Sequence, residues 1–528
     1  VSESPSVSDA QSADPKSLES FDVEAVNRRD RQEPLYAARK KIHPKRAEGR
    51  FRSLKWVIMV VTLGIYYLTP WIRWDRGEFA PDQAVLIDLY HRRFYFFFIE
   101  IWPQEFYYVA GLLIMAGIGL FLVTSSVGRA WCGYTCPQTV WVDLFLVVER
   151  AIEGDRNKRI RLDKAPMSAE KAVKRVSKHT IWLLIAASTG GAWIFYFADA
   201  PKLAVDLFTG NAAGVAYATV AVLTFTTYTL GGLMREQVCT YMCPWPRIQG
   251  AMLDEHSLTV TYNDWRGEPR SRHQKKLEAA GKSTGDCIDC NACVAVCPMG
   301  IDIRDGQQLE CITCALCIDA CDGVMSKLGL EKGLISYATL NDYNANMAKA
   351  VNANGEIEPD RIRNSAGKLI DTLTHTNWRS IIRVRTMIYI CAWAAIGFAM
   401  LGVLLTRERL DLNVLHDRNP LFVTLSDGSI RNGYTVKILN MMPEPRLIQL
   451  TIEGLPGARL IIPDIKDNPE DAVLLPAEPD QLETVKVFLS MDPKTLTEQK
   501  TPFRFVVQDI NGSERDSYDA VFEAGESK

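Results

Sequence analysis

Five apolar stretches set the plan of this 528-residue chain. They run over about Trp56–Ile72, Phe106–Val127, Ile181–Ala198, Ala212–Met234 and Met387–Leu405, and none contains Asp, Glu, Lys or Arg. A helix needs roughly 20 such residues to cross about 30 Å of hydrocarbon, and a soluble core helix of that length normally keeps a polar face. The pattern therefore predicts five membrane-spanning helices, the first ending near Pro70. From about Asn413 the texture changes to short alternating runs: Leu421–Leu425, Tyr434–Leu439, Leu447–Ile452, Thr484–Leu489 and Phe503–Gln508. Turn signals Asp427-Gly428, Asn432-Gly433, Pro456-Gly457 and Asn511-Gly512 separate them, as expected of an antiparallel β-sandwich of immunoglobulin type without its disulfide.

The predicted architecture is a multi-domain membrane protein. A disordered basic tail covers 1–54 and shows no secretory signal; a four-span membrane domain covers 55–250. A ferredoxin-like domain and connector follow over 251–385, then a fifth transmembrane helix over 386–406 and an all-β immunoglobulin-like domain over 407–528. Basic residues set the orientation. Arg39, Lys40, Lys41, Lys45, Arg46, Arg50, Arg52 and Lys55 precede the first span, and ten more between Arg150 and Lys178 follow the second. The connector 199–211 holds only Lys202. The N-terminus and the segment 235–385 are expected to be cytoplasmic, and everything after Thr406 to lie across the membrane. A net charge of -3 argues against nucleic acid as a partner. The aromatic loop Arg92–Phe98 with Trp102 reads as an interfacial segment, and Thr139–Val148 as a short helix on the inner surface.

Eight of the 13 cysteines carry the clearest chemistry. They fall as Cys287-x2-Cys290-x2-Cys293-x3-Cys297-Pro298 and Cys311-x2-Cys314-x2-Cys317-x3-Cys321. In this bacterial ferredoxin spacing, three close thiolates hold one cluster and the fourth reaches to the other. Cluster one is expected to take Cys287, Cys290, Cys293 and Cys321; cluster two takes Cys311, Cys314, Cys317 and Cys297. Zinc sites use paired C-x2-C units instead, and disulfides need an oxidising compartment. The second run ends Cys321-Asp322, not Cys-Pro, and that carboxylate is expected to make reduction of its cluster harder.

The membrane part repeats itself. Arg129-Ala-Trp-Cys132-Gly-Tyr134-Thr-Cys136-Pro137 follows the second span, and Arg235-Glu-Gln-Val-Cys239-Thr-Tyr241-Met-Cys243-Pro244 follows the fourth. Parallel repeats of this kind pack about a pseudo-two-fold axis along the membrane normal. Each pair is spaced i, i+4, and the proline predicts that the helix ends or kinks there. Four thiolates so assembled can hold Cu(I), an iron–sulfur cluster or a disulfide pair. Arg129 and Arg235 read as lipid-phosphate anchors by default, with tuning of the thiols as the sharper alternative. Tyr134 and Tyr241 are interfacial anchors or part of an electron path. Cys391 reads as packing, His179 as interfacial, and His416 as a weak copper candidate. Neither a c-type haem motif nor a nucleotide fingerprint is seen, so the electron donor is expected to be external and is not identified.

Two-cluster ferredoxin spacing before the last span, paired Cys-x3-Cys-Pro motifs and an exported β-domain together resemble the CcoG/FixG/RdxA family of cytochrome oxidase accessory proteins. Membrane polyferredoxins of the NapH and NosR kind share the cysteine motifs but not the β-domain. The resemblance implies a multi-pass bacterial inner-membrane protein with a periplasmic C-terminal domain. It implies reduction of Cu(II) to Cu(I) at or near Cys132, Cys136, Cys239 and Cys243. Copper then passes toward cbb(3)-type oxidase, with oxidase subunits or copper chaperones as partners alongside membrane lipid. A quinol-linked carrier serving a partner reductase and a non-enzymatic assembly scaffold are the alternatives.

Overall fold

The computed structural model describes residues 21, 23, 40–279, 281, 283–364, 368–374, 382–442, 444–463, 465, 472–479, 481–492, 495 and 499–524. The expected disordered tail lies mostly outside them. The chain divides into two compact units, one of residues 1–71 and 107–397, the other of 72–106 and 398–528.

Among the described residues, three helices are long and apolar enough to span a bilayer: Arg50–Trp71, Pro103–Val127 and Val384–Thr406. The expected fourth span belongs to a pair, Ala200–Thr209 and Gly214–Met234, bent by 90°. The expected third span occupies the end of helix Ala169–Ile194, whose first half carries Lys171, Lys174, Arg175 and Lys178. Its apolar half stops at Ile194, short of the expected Ala198.

Helix α1 (Arg50–Leu68) begins inside the segment expected to be a solvated tail. Its first amides are capped from a distance: Phe51 N–H and Arg52 N–H donate to the two oxygens of Asp319, at 3.2 and 2.7 Å. This satisfies donors that a helix start otherwise leaves orphaned. The Arg52 guanidinium donates to both oxygens of buried Asp143 at 2.8 Å, and Lys45 N–H bonds Ala295 O at 2.8 Å. Residues 40–54 are thus docked, because their cations and amides find carboxylate and carbonyl partners that outcompete water.

Helix α2 (Tyr107–Val127) leads to the short α3 (Ala130–Tyr134) and then α4 (Pro137–Glu153). The basic connector is not merely a solvated charge run. Glu149 is fully buried and pairs with Arg159 at 3.1 Å, Arg235 at 2.9 Å and Lys178 at 3.5 Å; Glu153 takes Lys178 at 2.8 Å and Arg175 at 3.2 Å. Trp182 stacks on Phe145, and Gly231 and Gly232 pass so close to these rings that a Cβ would meet them at 2.9 and 3.1 Å.

In the second unit, the loop expected to be interfacial forms a three-stranded antiparallel sheet: Val85–Asp88, Arg93–Phe96 and Ile99–Ile101. The two-residue turn places Phe97 at φ 52°, a conformation that apolar sequence does not advertise. Residues 410–523 form a two-sheet antiparallel sandwich. One sheet runs in the order Arg459–Ile461, Leu482–Met491, Ile430–Asn440 and Leu410–His416, with Val423–Thr424 beside Ile430–Asn440. The other runs Ala472–Ala477, Arg446–Glu453, Lys500–Asp509 and Arg515–Glu523. Tyr434, Val436, Leu489, Phe505 and Phe522 fill the space between. His416 stacks on Tyr434 and bonds Asn432 Oδ1 through Nε2 at 3.0 Å, so its ring serves the sandwich packing.

Candidate metal centres

The two cysteine runs fold alike. Asp289 and Asn291 flank Cys290 at φ 51° and 58°; Thr313 and Ala315 flank Cys314 at φ 57° and 59°. Non-glycine residues seldom adopt this conformation. Its occurrence on both sides of the middle cysteine in both runs curls the backbone into a concavity with inward amides, the nest found at anion and iron–sulfur sites. Each loop ends in a helix. Ala292–Val296 carries Cys293 and stops at Cys297, extended before Pro298. Leu316–Leu328 carries Cys317 and Cys321 one turn apart.

Two cavities result. One is lined by Cys287, Cys290, Cys293 and Cys321, with Tyr262 and Arg304. The other is lined by Cys297, Cys311, Cys314 and Cys317, with Cys293 at the divide. Each cavity therefore combines the close triplet of one run with the last cysteine of the other. Among the described residues, no three Cys, His, Asp or Glu side chains close on one point tightly enough for a single ion. Burial pushes Cys297 up to about 12 and Cys311 up to about 11. Unliganded thiols here stay protonated, and binding metal must expel those protons.

The charge around the first cavity is balanced locally. Buried Arg304 reaches Asp302 at 2.6 Å, Asp289 at 2.7 Å and Asn291 Oδ1 at 2.7 Å. Its cation acts on Cys290 and Cys293, opposing the Asp322 carboxylate next to Cys321. Sequence reasoning missed Arg304, since nothing local marks one arginine in a loop as cluster-facing.

The repeated membrane motif converges on these sites. Cys132 sits in α3 and Cys136 caps α4 with ψ 128°. Cys239 lies in the π-helical turn Val238–Met242, and Cys243 follows it at ψ 122°. Both second cysteines are extended before proline, for the steric reason that restricts any pre-proline residue. The first halves differ, because the second repeat is widened into π-turns around Arg235, held at φ 48°. Cys136, Cys239 and Cys243 all lie close enough to perturb one another or Cys132 electrostatically. Burial pushes Cys132 up to about 11 and Cys239 up to about 12. None of the 13 cysteines is in a disulfide.

Gly133 touches the second cavity's loop directly: a Cβ there would lie 2.7 Å from Ile312 O and 3.0 Å from Cys314 Cα. Cys132, Cys239, Cys297, Cys311 and Cys314 share one packed core. Tyr134 Oη lies 3.4 Å from Tyr337 Oη, which donates to Thr313 O at 2.9 Å. Tyr241 is exposed and takes no part.

The lipid-anchor reading of both arginines is overturned. Arg129 is 4% exposed and donates to Leu309 O at 2.5 Å and to Gln249 Oε1 at 3.4 Å. Arg235, 7% exposed, holds Glu149 and Gly232 O and covers Trp182. Their charges are spent inside the protein. Gln249 itself, which sequence reasoning missed, accepts from Cys132 Sγ at 3.1 Å and donates to Thr124 Oγ1 at 3.2 Å. Cys391 is exposed on its helix, and His179 Nδ1 bonds Tyr228 Oη at 2.9 Å.

Comparison with known proteins agrees with this geometry. A 4Fe–4S dicluster domain matches residues 234–340, a 4Fe–4S binding domain matches 109–153, and the Ig-like fold at the C-terminus of FixG matches 400–525. Nitrogen fixation protein FixG of Rhizobium meliloti is 65% identical over 95% of this chain and 96% of its own length. Proteins RdxB and RdxA of Cereibacter sphaeroides are 52% and 54% identical, over 92% and 81% of this chain and 97% and 85% of theirs. With cluster-binding loops, a C-terminal sandwich and near full-length identity all in agreement, the chain belongs to the FixG family of 4Fe–4S electron-transfer proteins.

Proposed function

We propose that this chain reduces Cu(II) to Cu(I) at the membrane, in support of copper delivery to a cbb(3)-type cytochrome oxidase. The observation that carries the reading is the shared core in which Cys132 and Cys239 pack against Cys297, Cys311 and Cys314. Cys287, Cys290, Cys293 and Cys321 would hold one 4Fe–4S cluster, and Cys297, Cys311, Cys314 and Cys317 the other. Such clusters supply single electrons over a wide range of potentials, and Cu(II) requires one electron to become Cu(I). The chain's own residues do the rest. The nests fix the thiolates, Gly133 brings the membrane motif against Cys314, and soft sulfur at the exposed Cys243 favours the reduced metal.

The same reading places the N-terminus and the cluster cavities in the cytoplasm and the sandwich in the periplasm, from the excess of Lys and Arg before α1 and after α4. Five spans follow if the apolar end of Ala169–Ile194 and the bent pair each cross. The electron donor is a separate one-electron reductant; oxidase subunits or copper chaperones are the acceptors downstream.

To test this, anaerobically reduced protein is mixed with Cu(II) while cluster absorbance and a Cu(I)-specific chelator are followed together. Cys287→Ser or Cys311→Ser protein should lose copper reduction; full activity without clusters removes the proposal. A second reading is a quinol-linked carrier, though the cavity beside Cys239 offers only about 30 Å³, room for a water or two and not for a quinol ring. Apolar Val142, Leu146, Met299 and Ile312 line it together with Asp143 and Arg150. Quinol-dependent reduction of the clusters without any response to copper would select that alternative.

A further inference from the structure

A cleft of about 710 Å³ opens behind the helix Leu316–Leu328, on the side away from the two cluster cavities. Its size falls in the range of small-molecule sites. At about 100° per residue, Cys317 and Cys321 share one face of that helix. Asp319, Asp322, Gly323 and Ser326, which line the cleft, occupy nearly the opposite face. The space therefore lies about one helix diameter, ~10–12 Å, from a ligand of each ferredoxin site.

Its lining suits a particular kind of ligand. Phe51 and Tyr337 form an aromatic wall, edge to face with ring centroids 5.5 Å apart. Both rings pack on the core that contains Cys287, Cys293 and Cys321. Tyr337 Oη also donates to Thr313 O at 2.9 Å, in the loop between Cys311 and Cys314. The wall thus touches the surroundings of both sites. The carboxylates of the cleft are committed elsewhere: Asp319 caps α1, Glu48 pairs with Arg46 at 3.5 Å, and Asp322 Oδ1 accepts from Gly333 N–H at 2.9 Å. Arg50 and Lys332 line the same space, and among the described residues neither has a carboxylate partner. Two such cations suit a phosphate. Gly323 is the last clue. Glycine weakens a helix interior, and a Cβ here would meet nothing within 4 Å. No neighbour requires the glycine; its missing side chain keeps the floor of the cleft open.

We propose that this cleft binds flavin mononucleotide, which delivers electrons to both ferredoxin sites. The proposal names the donor in the electron-transfer reading and rests on it. The flavin ring lies along Phe51 and Tyr337, and the phosphate reaches Arg50 and Lys332. A nicotinamide passes a hydride, whereas a flavin also passes single electrons, which is what iron–sulfur centres accept. One dihydroflavin gives up two electrons, one to each cluster. Its two protons leave to water at the open mouth, and oxidised flavin remains. A single site behind a helix that carries ligands of both clusters matches a two-electron donor to two one-electron acceptors.

The test uses anaerobic full-length protein with both clusters in place. Oxidised FMN is titrated by fluorescence quenching; reduced FMN is then mixed with oxidised protein while cluster absorbance is followed. Saturable quenching and a cluster-reduction rate that saturates with FMN are expected. Gly323→Leu, which fills the floor without meeting a neighbour, should abolish both. Lys332→Gln should weaken FMN roughly tenfold, the loss of one charge-assisted contact, and leave riboflavin, which lacks the phosphate, unchanged. Dithionite needs no site and should reduce the clusters equally in every variant. If Gly323→Leu fails to hold its clusters, the FMN-against-riboflavin comparison in Lys332→Gln decides alone. Quenching that never saturates, or that saturates equally in wild type and variants, overturns the flavin site. Copper reduction by dithionite-treated protein that binds no FMN overturns the site while the copper reading stands. Saturable reduction by FMN without copper reduction supports the site and removes the copper reading.

Discussion

Replacing Arg304 by Gln tests whether the protein sets the potential of the first ferredoxin site through charge. The guanidinium lines that cavity, is 7% exposed, and bonds two carboxylates and Asn291. For a lining residue, a unit charge at a separation on the order of 8 Å and an effective dielectric constant of about 20 contributes roughly 2 kcal/mol. At about 1.36 kcal/mol and about 59 mV per tenfold for one electron, that is ~90 mV. Arg304→Gln should therefore make this cluster harder to reduce by ~90 mV, while Arg304→Lys, which keeps the charge and loses the fork, should move it by less than half of that. The assay is an EPR-monitored redox titration of anaerobic protein with full iron content. An unmoved potential in the Gln variant, or equal shifts in both variants, would refute the electrostatic argument. The second site should respond less than the first in either variant, because Arg304 does not line it and the Coulomb term falls with distance.

Two further perturbations probe the scaffold. Gly133→Ala places a methyl group 2.7 Å from Ile312 O, an overpacking that should cost about 1–3 kcal/mol. A lower temperature of cluster loss and slower copper reduction should appear together; wild-type behaviour in both would mean that the two parts do not need this contact. Glu149→Gln leaves Arg159, Arg235 and Lys178 without their shared carboxylate and should destabilise by about 3–5 kcal/mol, read as a drop in thermal midpoint. Burial alone would raise the Glu149 carboxyl, but Arg235, Arg159 and Lys178 outweigh it and hold it at about 2, below the usual 4.5. Its stabilisation is then complete above pH 4.5 and fades as pH falls toward 2. The variant should lack that part of the acid limb, and an unchanged limb would contradict the assignment.

The chain's local patterns determined the kinds of parts. Ferredoxin spacing, apolar length and strand alternation are properties of neighbouring residues, so Cys287 to Cys321, the long helices and most of the sandwich were legible directly. The pre-proline breaks at Cys136 and Cys243 were equally local. The sheet at 85–101 was not, because its Phe-rich turn carries no turn residue. Strand Arg515–Glu523 was hidden by its polar outer face, since an edge strand exposes half its side chains to water. Only the tertiary structure decided where the charges go. Arg129, Arg235 and Lys178 read as membrane-surface cations until the fold buried them beside thiols and carboxylates. Asp319 caps α1 from 267 residues away, a contact that no local pattern announces. Spacing can name a thiol as a ligand, but which sulfurs share one centre depends on how two repeats pack, and packing is settled by contacts between residues far apart in the chain.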